Sequence, residues 1–160
     1  MLHNPGMTLV ALSASYGAGG AIVGPELADR LAVPFVDRAI PFAVSERLQV
    51  DVETAERHDQ RIGRGAVIVL RDRPEVLRVR LDGPPERRAA QAARLGDIPL
   101  EEAAQSRRRL DRAHAEYARR FYGADMTDYS LYDVMLDSTA IGLEVCVELL
   151  ATAARARAGA

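Results

Sequence analysis

The segment that most constrains this chain is Leu9-Val10-Ala11-Leu12, which runs directly into Ser13-Ala14-Ser15-Tyr16-Gly17-Ala18-Gly19-Gly20. An apolar run of strand length that meets so dense a group of glycines must turn sharply there. Beyond the turn, Ile22, Val23, Leu27 and Leu31 recur at helical spacing, so strand gives way to helix. Strand, glycine turn and helix in that order open a βαβ unit, which predicts an α/β architecture with a parallel sheet wrapped by helices. Glycines also let successive backbone N–H groups face one point, and the helix that follows adds the positive end of its dipole. The candidate anion contacts are therefore Ser15, Tyr16, Gly17, Ala18, Gly19, Gly20, Ala21 and Ile22. Tight connections of this composition also occur without a ligand, so the turn alone leaves both uses open.

The rest of the chain continues the alternation. Val33-Pro34-Phe35-Val36-Asp37 reads as a short strand ending in an acid, and Ala39 to Leu48 as a helix. Asp51 to Asp59 is polar with weak helical character, and Arg61-Ile62-Gly63-Arg64-Gly65 is a turn signal. Ala66 to Leu70 is apolar and either extends or packs on the sheet. Val76 to Leu81 alternates as a strand, with Asp82-Gly83-Pro84 as its terminating turn. Pro85 to Leu95 and Pro99 to Phe121 are helical, broken at Gly96-Asp97, and form a hairpin. Tyr122 to Tyr132 is a polar loop, Val134-Met135-Leu136 a last strand, and Leu143 to Arg157 a closing helix. A length of 160 residues with 48% hydrophobic content suits one domain with its own core.

A formal charge of −2 argues against a general nucleic-acid binder, which carries a basic excess. The lone cysteine, Cys146, lies in an apolar helical run, where it reads as a small core residue and fits a reducing cytoplasm. His3, His58 and His114 have no metal-ligand spacing, so no metal ligand is assigned. No stretch approaches the ~18 apolar residues of a membrane span, and a cytoplasmic protein is expected. All 21 basic residues are arginines, so phosphate charge must be met by arginine, backbone amides or a metal. The full phosphate-loop motif has a lysine and a hydroxyl where this chain has Gly20 and Ile22. Arginines concentrate instead at Arg107-Arg108-Arg109, Arg112, Arg119 and Arg120, either as a solvated face paired with Glu101, Glu102, Asp111 and Glu116 or as charge brought to a phosphate by a closing element.

Ser13 to Gly20, with Leu27-Ala28-Asp29-Arg30-Leu31-Ala32-Val33-Pro34-Phe35-Val36-Asp37-Arg38, resembles the opening of the cytidylate kinase-like family of P-loop nucleoside monophosphate kinases. Gly63-Arg64-Gly65-Ala66 with Leu70-Arg71-Asp72-Arg73-Pro74 is similar to that family's acceptor-nucleotide turn and the strand after it. Arg109-Leu110-Asp111-Arg112 through Tyr117-Ala118-Arg119-Arg120-Phe121-Tyr122-Gly123 resembles its lid, and Asp137-Ser138-Thr139 with Leu143 and Glu144 its last strand and closing helix.

The resemblance implies a single P-loop kinase-like domain over 1–160. It would comprise a phosphate-loop opening over 7–37, a shortened acceptor-binding region over 38–62, a helical lid over 85–123, and the last strand and closing helix over 134–157. It further implies that Gly17 to Ile22 cradle the phosphates of ATP and that Asp37 and Arg64 meet the acceptor. Arg109 and Arg112 would close over the transferred group, oriented by Asp111. The implied reaction moves the γ-phosphate of ATP to CMP or dCMP with Mg²⁺. Three departures stand out. Ala14 and Ala21 replace arginines frequent in relatives, Ile22 removes the magnesium-holding hydroxyl, and the stretch from Glu53 to Gly63 is short. They leave open a pseudokinase that binds nucleotide without transfer, or an interaction protein. A truncated sheet with exposed apolar surface would favour a homo-oligomer.

Overall fold

The computed structural model describes residues 9–35 and 65–159. Three parallel strands, β1 (Leu9–Ala14), β2 (Val76–Asp82) and β3 (Val134–Asp137), form a sheet in the order β1-β2-β3. Leu9 pairs with Val76 and Ala14 with Leu81, while Val79 pairs with Val134 and Asp82 with Asp137. The described helices are α1 (Gly20–Leu31), α2 (Ala66–Val69), α3 (Pro85–Gly96), α4 (Leu100–Tyr117), α5 (Ser138–Ile141) and α6 (Leu143–Ala158). A π-helical turn, Ala118–Tyr122, prolongs α4, and a 3-10 turn spans Tyr129–Leu131. Parallel strands need a long crossover, and α3 with α4 carries the chain from β2 to β3.

Alternation along β2 sorts its side chains between two layers. Leu77, Val79 and Leu81 face Val23 and Leu27 of α1 and Cys146, Val147, Leu150 and Ala154 of α6. On the other face Val76 joins Ala11, Val67, Ile68, Ala118, Met126 and Tyr132. Cys146 is fully buried, as its apolar setting predicts, and burial pushes its thiol up.

Helix limits follow from local chemistry. Pro85 sits at the first position of α3, where its missing N–H costs nothing, and Asp97 closes that helix in the left-handed region at φ 48°. Glu101 and Glu102 occupy the first turn of α4, where they meet the positive end of its dipole. The apolar stretch at Ala66 forms α2 and packs Val67 and Ile68 into the core.

One expected strand is corrected over its described part. Val33, Pro34 and Phe35, the first residues of the run to Asp37, have no regular structure. Ala32 ends α1 at φ 53°, and Pro34 lacks the N–H that a ladder needs. Val36, Asp37, the expected helix from Ala39 to Leu48, the Asp51 to Asp59 segment and Arg64 lie outside the described residues.

Candidate functional site

The glycine turn is fastened from three sides. The guanidinium of Arg88 on α3 donates to the carbonyl of Tyr16 (2.9 Å), the amide of Gln91 on the same helix to that of Gly17 (2.8 Å), and Ser138 Oγ at the start of α5 to that of Ala18 (2.7 Å). The Ser15 N–H donates to Leu81 O at 3.1 Å, which ties the turn to the end of β2. A peptide unit is planar, with its carbonyl and its amide on opposite edges. Fixing the carbonyls of Tyr16 and Ala18 therefore turns the N–H groups of Gly17 and Gly19 away from α3 and α5. The first amides of α1, at Gly20 and Ala21, have no intrahelical acceptor.

The glycines have packing duties as well. Gly17 lies at φ +80°, and a Cβ there would stand 2.1 Å from the carbonyl oxygen of Arg88. Gly19, at φ +81°, would bring a Cβ to 2.4 Å from Leu143 Cδ2. Glycine is thus required for close approach whether or not a ligand is present.

Beside the turn stands a row of charges that alternate in sign. The Arg80 side chain, 5% exposed, donates to Asp82 Oδ2 through Nε and Nη2 (2.9 and 2.8 Å), to Ser15 Oγ (2.9 Å) and to the Tyr132 hydroxyl (3.2 Å). Tyr132 in turn donates to Met126 O. Arg88 donates to Gly83 O at 2.9 Å and grips Asp111 with both terminal nitrogens, at 3.1 and 2.8 Å, while Asp82 Oδ1 lies 3.3 Å from its Nε. Arg107, one turn before Asp111, reaches the same carboxylate at 3.3 Å. Burial pushes the Asp82 carboxyl up, but the charge and hydrogen bonds of Arg80, with the Gly83 N–H and Ser15, hold it below the ordinary carboxylate range.

Ser15, Arg80, Asp82, Arg88 and Asp111 border a cleft of about 190 Å³ that is also lined by Arg119, Asp125 and Thr127. Asp125 is held low by the hydroxyl and N–H of Thr127. Arg80, Arg88 and Arg119 are matched by Asp82, Asp111 and Asp125, so the formal charges of this set cancel. An entering phosphate must take Arg80 or Arg88 from a carboxylate, or use Arg119 and backbone amides. Arg119 has no ion pair among the described residues.

The proposed lid residues fall apart in space. Asp111 faces the cleft, where its hydrogen-bond partners among the described residues are Arg88 and Arg107. Arg109 and Arg112 are exposed on α4. At 100° per residue, Arg109 points roughly 160° away from Asp111, while Arg112 lies on the flank nearer the cleft. Arg80 and Arg88 are the functional candidates that sequence reasoning missed. A strand reading L-R-V-R is expected to send its arginines to solvent, and only the acid two positions after Arg80 hints at an internal pair. Among the described residues no His, Cys, Asp and Glu group is placed to hold a metal.

No described helix is long and apolar enough to cross a membrane. No curated protein matches the sequence. Among solved structures, the chain is similar to an uncharacterized protein from Eubacterium ventriosum ATCC 27560, with a TM-score of 0.72 at 14% identity, covering 92% of this chain and 98% of that one. At that identity the likeness shows the α/β fold alone. The sequence profile described as the cytidylate kinase-like family matches residues 9–62 and 61–140, and the chain, nucleotide kinase-like over most of its length, belongs to that family.

Proposed function

We propose that the chain is a P-loop nucleoside monophosphate kinase-like protein that binds ATP on the turn from Ser15 to Ile22 and transfers its γ-phosphate to CMP or dCMP. The observation that carries this reading is the fastening of the loop carbonyls, which turns the Gly17 and Gly19 amides away from the protein side of the turn beside the N-terminus of α1. Arg112 and Arg109 are proposed to reach the transferred group when the α3–α4 hairpin closes, joined by Arg119 already at the cleft. Asp37 and Arg64 are assigned to the acceptor on family resemblance. Ile22 replaces the usual hydroxyl and the carboxylate of Asp82 is engaged by arginine, so the described residues do not fit a protein-held magnesium. The metal enters as part of the substrate, Mg·ATP.

A second reading, nucleotide binding without transfer, is favoured by the balanced charge of the cleft. Fixed positive charge around a migrating phosphoryl group supplies much of the catalysis, and removal of one such group typically costs about 10²–10³-fold in rate. A coupled assay with Mg·ATP against CMP, dCMP, UMP and AMP, with calorimetric titration alongside, separates the two. Turnover with CMP or dCMP that falls by about 10²-fold in both Arg112→Ala and Arg119→Ala supports the kinase. Binding without turnover establishes the second reading, and absence of both refutes each.

A further inference from the structure

The closing helix α6 has two apolar faces, of which the fold buries one. Cys146, Val147, Leu150, Ala151 and Ala154 are buried against α1 and the sheet. On the opposite side Val145 and Leu149 are each 47% exposed. At 100° per residue they fall with Thr152 and Ala156 inside a strip roughly 60° wide. The whole sector between Glu148 and Cys146, roughly 160° around the helix, holds no charged side chain. For a solvent-facing helix in a chain with 28% charged residues, that sector is unusually apolar. It also carries small residues, Ala153 and Ala156, that permit a close neighbour.

The charges that border the strip say what kind of neighbour fits. Glu144, Glu148 and Arg155 lie on one flank, within roughly 40° of one another. Glu148 is paired with Arg30. Glu144 and Arg155 have no ion pair among the described residues, and the guanidinium of Arg155 meets only the carbonyl of Arg30. The two stand eleven residues apart in sequence, about 16 Å along the axis. When two helices pack antiparallel about a two-fold axis, like flanks face each other, and each residue meets the one equally far beyond the axis. The midpoint between Glu144 and Arg155 falls between Leu149 and Leu150. An axis beside Leu149 sets Leu149 against its own copy and Val145 against Ala153, and brings each Glu144 within one residue's rise, about 1.5 Å along the axis, of the other chain's Arg155. Large meets small along the strip, and two unpaired charges of opposite sign become two pairs. A parallel two-fold arrangement would set this flank against the partner's opposite flank, where Ala153 lies, and form neither Glu144–Arg155 pair.

We propose that the outer face of α6 is a self-association surface, on which a second copy of this chain packs antiparallel about a two-fold axis beside Leu149. This surface is independent of the nucleotide site. Exposed charge pairs contribute little affinity but fix orientation, so the apolar strip supplies the attraction and Glu144 with Arg155 the register. One helix face is a small interface, which makes a concentration-dependent dimer the expected state.

Sedimentation equilibrium of the full chain over a dilution series tests the proposal, with circular dichroism as the check on folding. The mass should rise from one chain towards two as concentration increases. Leu149→Arg, which replaces an exposed side chain, should remain a monomer throughout. Glu144→Arg and Arg155→Glu should each weaken association at least threefold, whereas the double variant, or a mixture of the two single variants, should recover it. A wild-type chain that stays monomeric overturns the proposal, as does a dimer indifferent to Leu149→Arg. Association that all the charge variants leave unchanged overturns the antiparallel register.

Discussion

Replacing Arg80 by methionine probes the charge row most directly. Methionine keeps the length of the stem within the buried strand but removes a guanidinium that bonds Asp82, Ser15 and Tyr132. Breaking one partner out of a buried ion pair costs about 3–5 kcal/mol. Asp82 is 33% exposed and keeps the Gly83 N–H at 3.0 Å and Arg88 at 3.3 Å, so the lower end applies, about 3 kcal/mol. For a chain of this size that lowers the melting temperature by roughly 6–12 °C. The effect also carries a pH signature. Asp82 titrates below its unfolded value of about 3.9, so its contribution is complete above that value and is lost as pH falls through the lower folded value. Without Arg80 the folded value rises, because burial then meets less opposition. The difference between wild type and variant should therefore be largest near neutrality and shrink as the solution becomes more acidic than about pH 4. Urea unfolding at several pH values, combined with Asp82→Asn in a double-mutant cycle, measures both. Single effects that add to within about 0.5 kcal/mol, or a deficit that does not change with pH, would refute the pairing argument.

Other outcomes follow from the same geometry. Gly17→Ala should destabilise by more than 3 kcal/mol on the order of magnitude set by left-handed strain plus a backbone clash, whereas Gly123→Ala, at φ +61° with open space around it, should cost only about 1–2 kcal/mol; urea midpoints compare them. Asp111→Asn releases the doubly bonded Arg88, so titration with pyrophosphate should show tighter binding if the carboxylate and the phosphate compete for that guanidinium. Equal or weaker binding would show that they do not. Cys146 should resist a thiol reagent in the native protein and react once urea unfolds it, since it is fully buried and its thiol is pushed up; a fast native reaction would contradict its place in the core.

Elements whose signal is local were legible in the sequence. β1, the glycine turn, α1, β2, the α3–α4 hairpin, β3 and α6 follow from periodicity and from the Gly96-Asp97 break. The first three residues of the run after α1 misled because β-branched Val33 and aromatic Phe35 have strand propensity, while the left-handed Ala32 and the imino nitrogen of Pro34 decide their conformation. The site was harder to read, because it depends on which charges meet. Arg88 and Asp111 lie 23 residues apart and Arg80 and Ser15 lie 65 apart, and no pattern along the chain joins them. The arginines that drew attention, Arg109 and Arg112, form a conspicuous cluster in sequence, yet helical phase leaves them exposed. The two that the structure buries are isolated from that cluster.

The three clasps on the glycine turn also bear on when the turn takes shape. Its anchors come from Arg88, Gln91 and Ser138, at sequence separations of 72, 74 and 120 residues. A short loop next to the first strand would ordinarily order early, but this one depends on partners that arrive only after the later strands have found their places. Long-range contacts of that kind carry the largest loop-closure penalty and tend to form late. The turn should therefore be among the last parts of the chain to order on refolding and among the first to lose amide protection when α3 or α5 detaches. Its conformation is a property of the completed sheet and its crossovers, and the glycine segment alone, excised as a peptide, should not hold it.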